Sequence, residues 1–134
     1  MELIQGKPNG LGKMYKDDGS VYIGYFKHGK AHGKGAYVFL DGSYYEGDFE
    51  DNKAEGEHGN YCSKHLYYTG SFKDNAFHGA GREKGDTHDF EGEYEHGVKR
   101  RGKLRWDAHG EEYVYEGEFN HDGKFEGRGK YCGM

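Results

Sequence analysis

The strongest constraint on this chain is that it repeats itself about every 23 residues. An aromatic–x–glycine–x–aromatic pattern opens at Tyr22 as YIGYF and restarts at Tyr45, Tyr68, Phe90 and Tyr115, with spacings of 23, 23, 22 and 25 residues. Its glycines are Gly24, Gly47, Gly70, Gly92 and Gly117, and its second rings are Phe26, Phe49, Phe72, Tyr94 and Phe119. The first 21 residues keep the register: Gly6, Gly10, Gly12, Gly19 and Ser20 lie 23 residues before Gly29, Gly33, Gly35, Gly42 and Ser43. The chain therefore reads as one repeat domain over residues 1–134, with a partial repeat at 1–21. A unit this small cannot bury its own apolar face, so stability has to come from stacked neighbours.

Within a unit the period is two. Tyr22, Gly24 and Phe26 alternate, as do Gly33, Gly35, Tyr37 and Phe39, so each set lies on one face of a strand. Lys27 to His32 supplies the turn between them, and Asp41-Gly-Ser closes the next one. Each unit is a β-hairpin, and consecutive hairpins pair into an all-β, single-layer antiparallel sheet. Roughly eleven strands about 4.8 Å apart give an elongated ribbon of about 50 Å. Aromatic residues are 16% of a chain that is only 33% hydrophobic, and 25 glycines stand against one proline, so rings must supply the buried surface. A ring can lie flat across a neighbouring strand only where no Cβ intervenes, which is the work of the glycines. One face then carries the aromatic row and the other Lys, Glu and Asp. Copies of the second half-unit are distorted at residues 56–61, 82–88 and 97–106, where bulges are expected.

The YxGxF opening followed by HGxGxY (His32 to Tyr37) at this period resembles the MORN repeat, membrane occupation and recognition nexus, over nearly the whole chain. The resemblance implies a fold of consecutive MORN β-hairpin repeats bearing a groove. It also implies a role in binding, assembly and positioning, as in junctional membrane proteins, plant phosphoinositide kinases, ciliary radial-spoke heads and apicomplexan basal complexes.

Other functions find little support. A net charge of −5 argues against nucleic acid as a partner. No signal peptide, membrane span or disulfide framework is legible, which fits an intracellular, cytoplasmic protein. Six of the nine histidines (His28, His32, His58, His78, His96 and His109) precede glycine, where a left-handed turn role suffices. Cys62 and His65 form the only tight metal-type pair, so neither a metal nor another cofactor is expected. Cys62 and Cys132 follow strand tyrosines and should turn away from them. No Gly-x-Ser-x-Gly or phosphate-loop context exists, and no enzyme activity is expected.

What remains is a surface. A single-layer sheet leaves a ring-lined face uncovered, and a protein partner segment is its natural occupant. The candidate lining is Tyr22, Phe26, Tyr37, Phe39, Tyr45, Phe49, Tyr68, Phe72, Phe90, Tyr94, Tyr115 and Phe119, some of them buried between strands. The expected function is a non-catalytic scaffold or adaptor in a larger cytoskeletal or ciliary assembly. The alternative is a peripheral membrane tether, in which a basic loop of Lys99, Arg100, Arg101, Lys103 and Arg105 meets anionic phospholipid or an acidic partner. Glu93, Glu95, Glu111 and Glu112 lie close enough in sequence to balance that loop. Both ends of the ribbon present strand edges, which neighbours should cover.

Overall fold

A computed structural model describes the backbone of residues 3–6 and 9–133 and the side chains of residues 9–126. It contains β1 (Leu3–Gly6), β2 (Gly10–Tyr15), β3 (Val21–Lys27), β4 (Lys30–Val38), β5 (Tyr44–Glu50), β6 (Lys53–Ala54) and β7 (Gly56–Cys62). β8 (Leu66–Lys73), β9 (Ala76–Gly85), β10 (His88–Glu95), β11 (Val98–Ala108), β12 (Glu111–Phe119) and β13 (Phe125–Gly133) follow, with no helix among the described residues. The strands form one antiparallel sheet in chain order, with only the two-residue β6 off the path beside β5. Twelve strands lie on that path among the described residues, in keeping with the roughly eleven expected, and residues 1–21 supply β1 and β2. The expectation that neighbours cover both ends turns on Met1 and Met134, which lie outside the described residues.

Tight two-residue turns set the register. His28–Gly29, Asp51–Asn52, Asp74–Asn75, His96–Gly97 and His109–Gly110 each place two successive residues at positive φ. That is the type I′ geometry, whose twist matches that of paired strands. The turn after β3 is thus shorter than Lys27 to His32. Only His28, His96 and His109 take the left-handed role; His32, His58 and His78 sit inside β4, β7 and β9.

Bulges fall in two of the three distorted copies, between Gly56 and Gly59 and where β11 steps from Arg101 to Lys99, but they also belong to the regular repeat. Gly24 pairs with Gly35, but the next pair is Phe26 with Ala31, and β8–β9 does the same between Gly70–Gly81 and Phe72–Phe77. The skipped residue's carbonyl is satisfied from the repeat itself. The Tyr22 hydroxyl donates to the Tyr25 carbonyl at 2.7 Å, Tyr45 to Asp48 at 2.8 Å and Tyr68 to Ser71 at 2.8 Å. Residues 82–88, expected to be irregular, carry no shift: β9 and β10 stay in register from Lys84–Asp89 to Gly79–Tyr94.

The pairing aligns glycines into a rail, Gly12–Gly24–Gly35–Gly47 on one side of the β5–β7 junction and Gly59–Gly70–Gly81–Gly92–Gly102–Gly117 on the other. Rings lie on it. A Cβ on Gly35 would strike the Tyr22 ring at Cε1 and Cζ, 2.6 Å away, and one on Gly81 would meet Cε2 and Cζ of Tyr68 at the same distance. Each repeat's first ring then packs edge-on against its own second ring and that of the next repeat. Tyr22 meets Phe26 at 5.1 Å and Phe49 at 4.8 Å, and Tyr45 meets Phe49 at 5.1 Å and Phe72 at 4.5 Å. At about 0.5–1.5 kcal/mol per pair beyond area burial, this chain of contacts offsets the cost of glycine in strands. The outer face is not uniformly charged as expected. Ile23, Tyr25, Val38, Tyr44 and Tyr67 are exposed there on β3–β8, because the two-residue alternation that buries Tyr22 and Phe26 points their neighbours outward.

Candidate partner groove

Where the inner rings part, the sheet holds a concavity of about 650 Å³. Tyr45, Phe49, Phe72 and Ala54 form its floor; Tyr37, Phe39, Tyr61 and Leu66 line it toward one sheet margin, and Asn52, Asn75, Ala76 and Phe77 toward the other. Of the twelve rings expected to line a groove, ten are 0–6% exposed: Tyr22, Phe26, Tyr45, Phe49, Tyr68, Phe72, Phe90, Tyr94, Tyr115 and Phe119. These are core, covered by one another. Only Tyr37, half-buried, and Phe39, 40% exposed, offer substantial contact surface. Tyr61, Leu66 and Phe77 were not among the expected lining. Tyr61 could have been found, since it follows Gly59 as Tyr37 follows Gly35.

The asparagine wall is held by the turns. Asn52 of one turn donates its N–H to the Ala31 carbonyl at 3.0 Å, and its side-chain oxygen accepts from the Ala31 N–H at 2.8 Å. Asn75 repeats both bonds on Ala54, at 3.1 and 2.8 Å. In the next turn Gly97 keeps the backbone bond to Phe77 at 2.8 Å but has no side chain for the second. Adjacent hairpins are therefore latched along this margin, and the groove wall is preorganised.

Beyond Phe77 the inner face changes chemistry. Glu83 occupies the slot that Tyr37 and Tyr61 hold in earlier repeats, opposite Tyr68 and Phe90. It is buried, and its carboxylate accepts from the Tyr94 hydroxyl at 2.5 Å, meets His88 Nε2 at 2.6 Å and pairs with Lys99 Nζ at 3.3 Å. Burial raises the Glu83 pKa, but hydrogen bonds from Tyr94 and His88 and the Lys99 charge outweigh it and hold the carboxyl below its usual range. Burial, followed by the Glu83 carboxylate, drives the Tyr94 pKa far above the ordinary tyrosine range, so its hydroxyl stays a donor. Burial alone pushes Tyr22 up to about 12 against the opposing Tyr25 carbonyl.

The basic run is not a loop. Lys99, Arg100, Arg101, Lys103 and Arg105 lie in β11, where Gly102 pairs with Gly92 and Gly117 and fixes the strand. Lys99 turns to Glu83 on the inner face, Arg101 meets Glu93 at 3.3 Å, and Arg100 approaches Glu95 at 4.0 Å. Lys103 and Arg105 line a small charged depression with Arg82, Asp89 and Glu91. Arg101, Lys103 and Arg105 thus share the outer face of β11, each opposite a carboxylate of β10 (Glu93, Glu91 and Asp89), while Lys99 turns inward. Cys62 pairs across strands with Tyr44 and Tyr67 on the outer face, while the side chain of Cys132 lies outside the described residues. His65 hydrogen-bonds Asp86 at 2.5 Å instead of approaching Cys62 as a ligand pair, and no three His, Cys, Asp or Glu side chains among the described residues converge as a metal site.

The MORN repeat family model matches residues 2–21, 22–44, 45–57, 68–89 and 115–133, well over half of the chain. The chain is a MORN-repeat protein. The matched segments include none starting at Phe90, although the hairpin there is complete. No curated protein matches this MORN-repeat chain. MORN repeats are in general protein- or membrane-interaction motifs.

Proposed function

We propose that this MORN-repeat protein is a non-catalytic scaffold or adaptor that seats a protein segment in its inner groove, inside the cell and within a cytoskeletal or ciliary assembly. The observation that carries the reading is the concavity of about 650 Å³, ring-floored and walled by Tyr37, Phe39, Tyr61 and Phe77. A rigid apolar trough with amides along one margin suits an extended or helical segment with spaced apolar anchors. The setting rests on where MORN repeats are often found. Protein is preferred to anionic lipid because the basic run spends Lys99, Arg100 and Arg101 on Glu83, Glu95 and Glu93, leaving few uncompensated charges.

The test is quantitative capture from native lysate with three baits. Wild type should recover a stoichiometric partner. Phe39→Ala/Tyr61→Ala, which alters only partly exposed rings, should lose most of it while keeping the wild-type circular dichroism. Neutralising Arg100, Arg101 and Lys103 should leave capture unchanged. Equal capture by the groove variant, or loss confined to the basic-run variant with a gain in wild-type binding to anionic vesicles, would reject the reading.

A further inference from the structure

The outer face of β2–β5 has a pattern that the rest of that face lacks. Two cross-strand rows run over these four strands. The first is Tyr15–Val21–Val38–Tyr44, and the second is Lys13–Ile23–Ala36–Glu46. The first reads the same in both directions. The second is apolar at its centre, with a cation at one end and an anion at the other. Tyr15, Ile23, Val38 and Tyr44 are each 37–42% exposed, so the centre is wet apolar surface in the isolated chain.

The corresponding row on the C-terminal strands, Arg82–Glu91–Lys103–Glu116, alternates in sign between adjacent strands. Nearby, Arg82 is bidentate on Asp89 at 2.9 and 3.2 Å, and Arg101 meets Glu93. Charges there are met within the sheet. Lys13 and Glu46 are three strand spacings apart, about 14 Å, which is too far to pair within one chain. Among the described residues neither makes an ion pair.

We infer that this face packs against the same face of a second copy of the chain, about a twofold axis parallel to the strands and passing between β3 and β4. That operation sets β2 over the partner's β5 and β3 over its β4. Tyr15 then meets Tyr44, Val21 meets Val38, and Ile23 meets Ala36. Lys13 of each copy faces Glu46 of the other, at both ends of the interface. An isologous contact requires such self-complementarity, in which residue i meets j while j meets i. Aligned face-to-face sheet packing about 10 Å apart accommodates side chains of this size. The patch is small beside a standard interface, so the dimer is weak and concentration-dependent. Because the shared face is the outer one, the two inner grooves open in opposite directions. The dimer is a bivalent adaptor, able to join two partner segments.

Sedimentation velocity across about 1–100 µM, the range of a small interface, tests this. Wild type should pass from monomer to dimer within it. Lys13→Glu and Glu46→Lys should each weaken association by about tenfold or more, since each sets like charges opposite one another at both ends. The double variant K13E/E46K exchanges the partners and should return to within about threefold of wild type. Both positions are exposed, and unchanged circular dichroism verifies each fold. Monomer at every wild-type concentration, single variants that associate like wild type, or a double variant no better than the singles would each overturn the inference.

Discussion

The hairpins that begin at Tyr68 and Phe90 are adjacent, have the same topology and hold their rings by different chemistry. In the first, Phe77 stacks on Tyr68 at 3.7 Å and 4°, and the Tyr68 hydroxyl closes the bulge on Ser71. In the second, the place of Phe77 is taken by Lys99: Phe72 pairs with Phe77 as Tyr94 pairs with Lys99. The Lys99 ammonium lies 5.4 Å over the Phe90 ring, so a cation–π contact stands where a ring stack stood. A half-buried cation on the inner face gains from a counter-charge, and the buried Glu83 of β9 supplies it. Phe90 has no hydroxyl to give, and there Glu93 stays paired with Arg101 while the shift moves to Tyr94–Lys99. The MORN match includes the first hairpin and omits the second, yet both keep their glycine pair, Gly70–Gly81 and Gly92–Gly102. The difference teaches that ring-over-glycine packing defines the fold, and that the identity of the groups above it can change if their charges are met.

The largest expected effect comes from breaking the second solution. Glu83→Ala leaves Lys99, His88 and the Tyr94 hydroxyl without their shared acceptor and should cost about 3–5 kcal/mol in urea unfolding. The same carboxylate has a pH signature. Its folded pKa is depressed, so its contribution is complete above the ordinary value of 4.5 and is lost as pH falls through the lower folded value. Stability measured between pH 6 and about 3 should therefore fall less steeply in the variant than in wild type.

Next is the rail that both hairpins share. Gly81→Ala drives a Cβ into the Tyr68 ring and should cost about 1–3 kcal/mol. Gly97→Ala has open space around it and only the backbone cost of φ +84° to meet, about 1 kcal/mol. Equal losses in thermal unfolding would mean that backbone preference, not ring packing, explains the glycines.

The smallest effect sharpens the hydroxyl difference. Tyr68→Phe should lose about 1 kcal/mol with its Ser71 bond. Phe90→Tyr should gain nothing, because the hairpin register already pairs Glu93 with Arg101. A stabilised Phe90→Tyr variant would show that the two hairpins differ by accident of sequence rather than by register.

The alternation of Tyr22, Gly24 and Phe26 makes the sheet, its chain-order topology and the burial of ring against glycine legible before any coordinates. Which rings become floor and which become wall is not legible, because it depends on how one repeat's second ring lands on the next repeat's first. Residues 82–88 read as irregular for want of a tyrosine. In the fold, the Gly81–Gly92 pair fixes the register and carries Glu83 into the vacant slot. Lys99 to Arg105 reads as a loop because its glycine is out of place. The His96–Gly97 turn and the Gly92–Gly102 pair make it a strand; Glu93 and Glu95, which meet Arg101 and Arg100, are the neighbours legible in the sequence, whereas Glu83, which meets Lys99, comes from β9 and is not. The exposed rings and aliphatics on β2–β8 follow from the same alternation that buries the inner face, though the composition points to charge there.

The central claim is that the inner groove is the working surface, and site-directed photo-cross-linking in living cells tests it most directly. A photoreactive phenylalanine analogue would replace Phe39 or Tyr61 in the groove wall, with Thr69, exposed on the outer face near the C-terminal charge rows, as the control. The account predicts that positions 39 and 61 both cross-link to one and the same protein while position 69 does not. Cross-links from position 69 alone, or to unrelated proteins from 39 and 61, would contradict it.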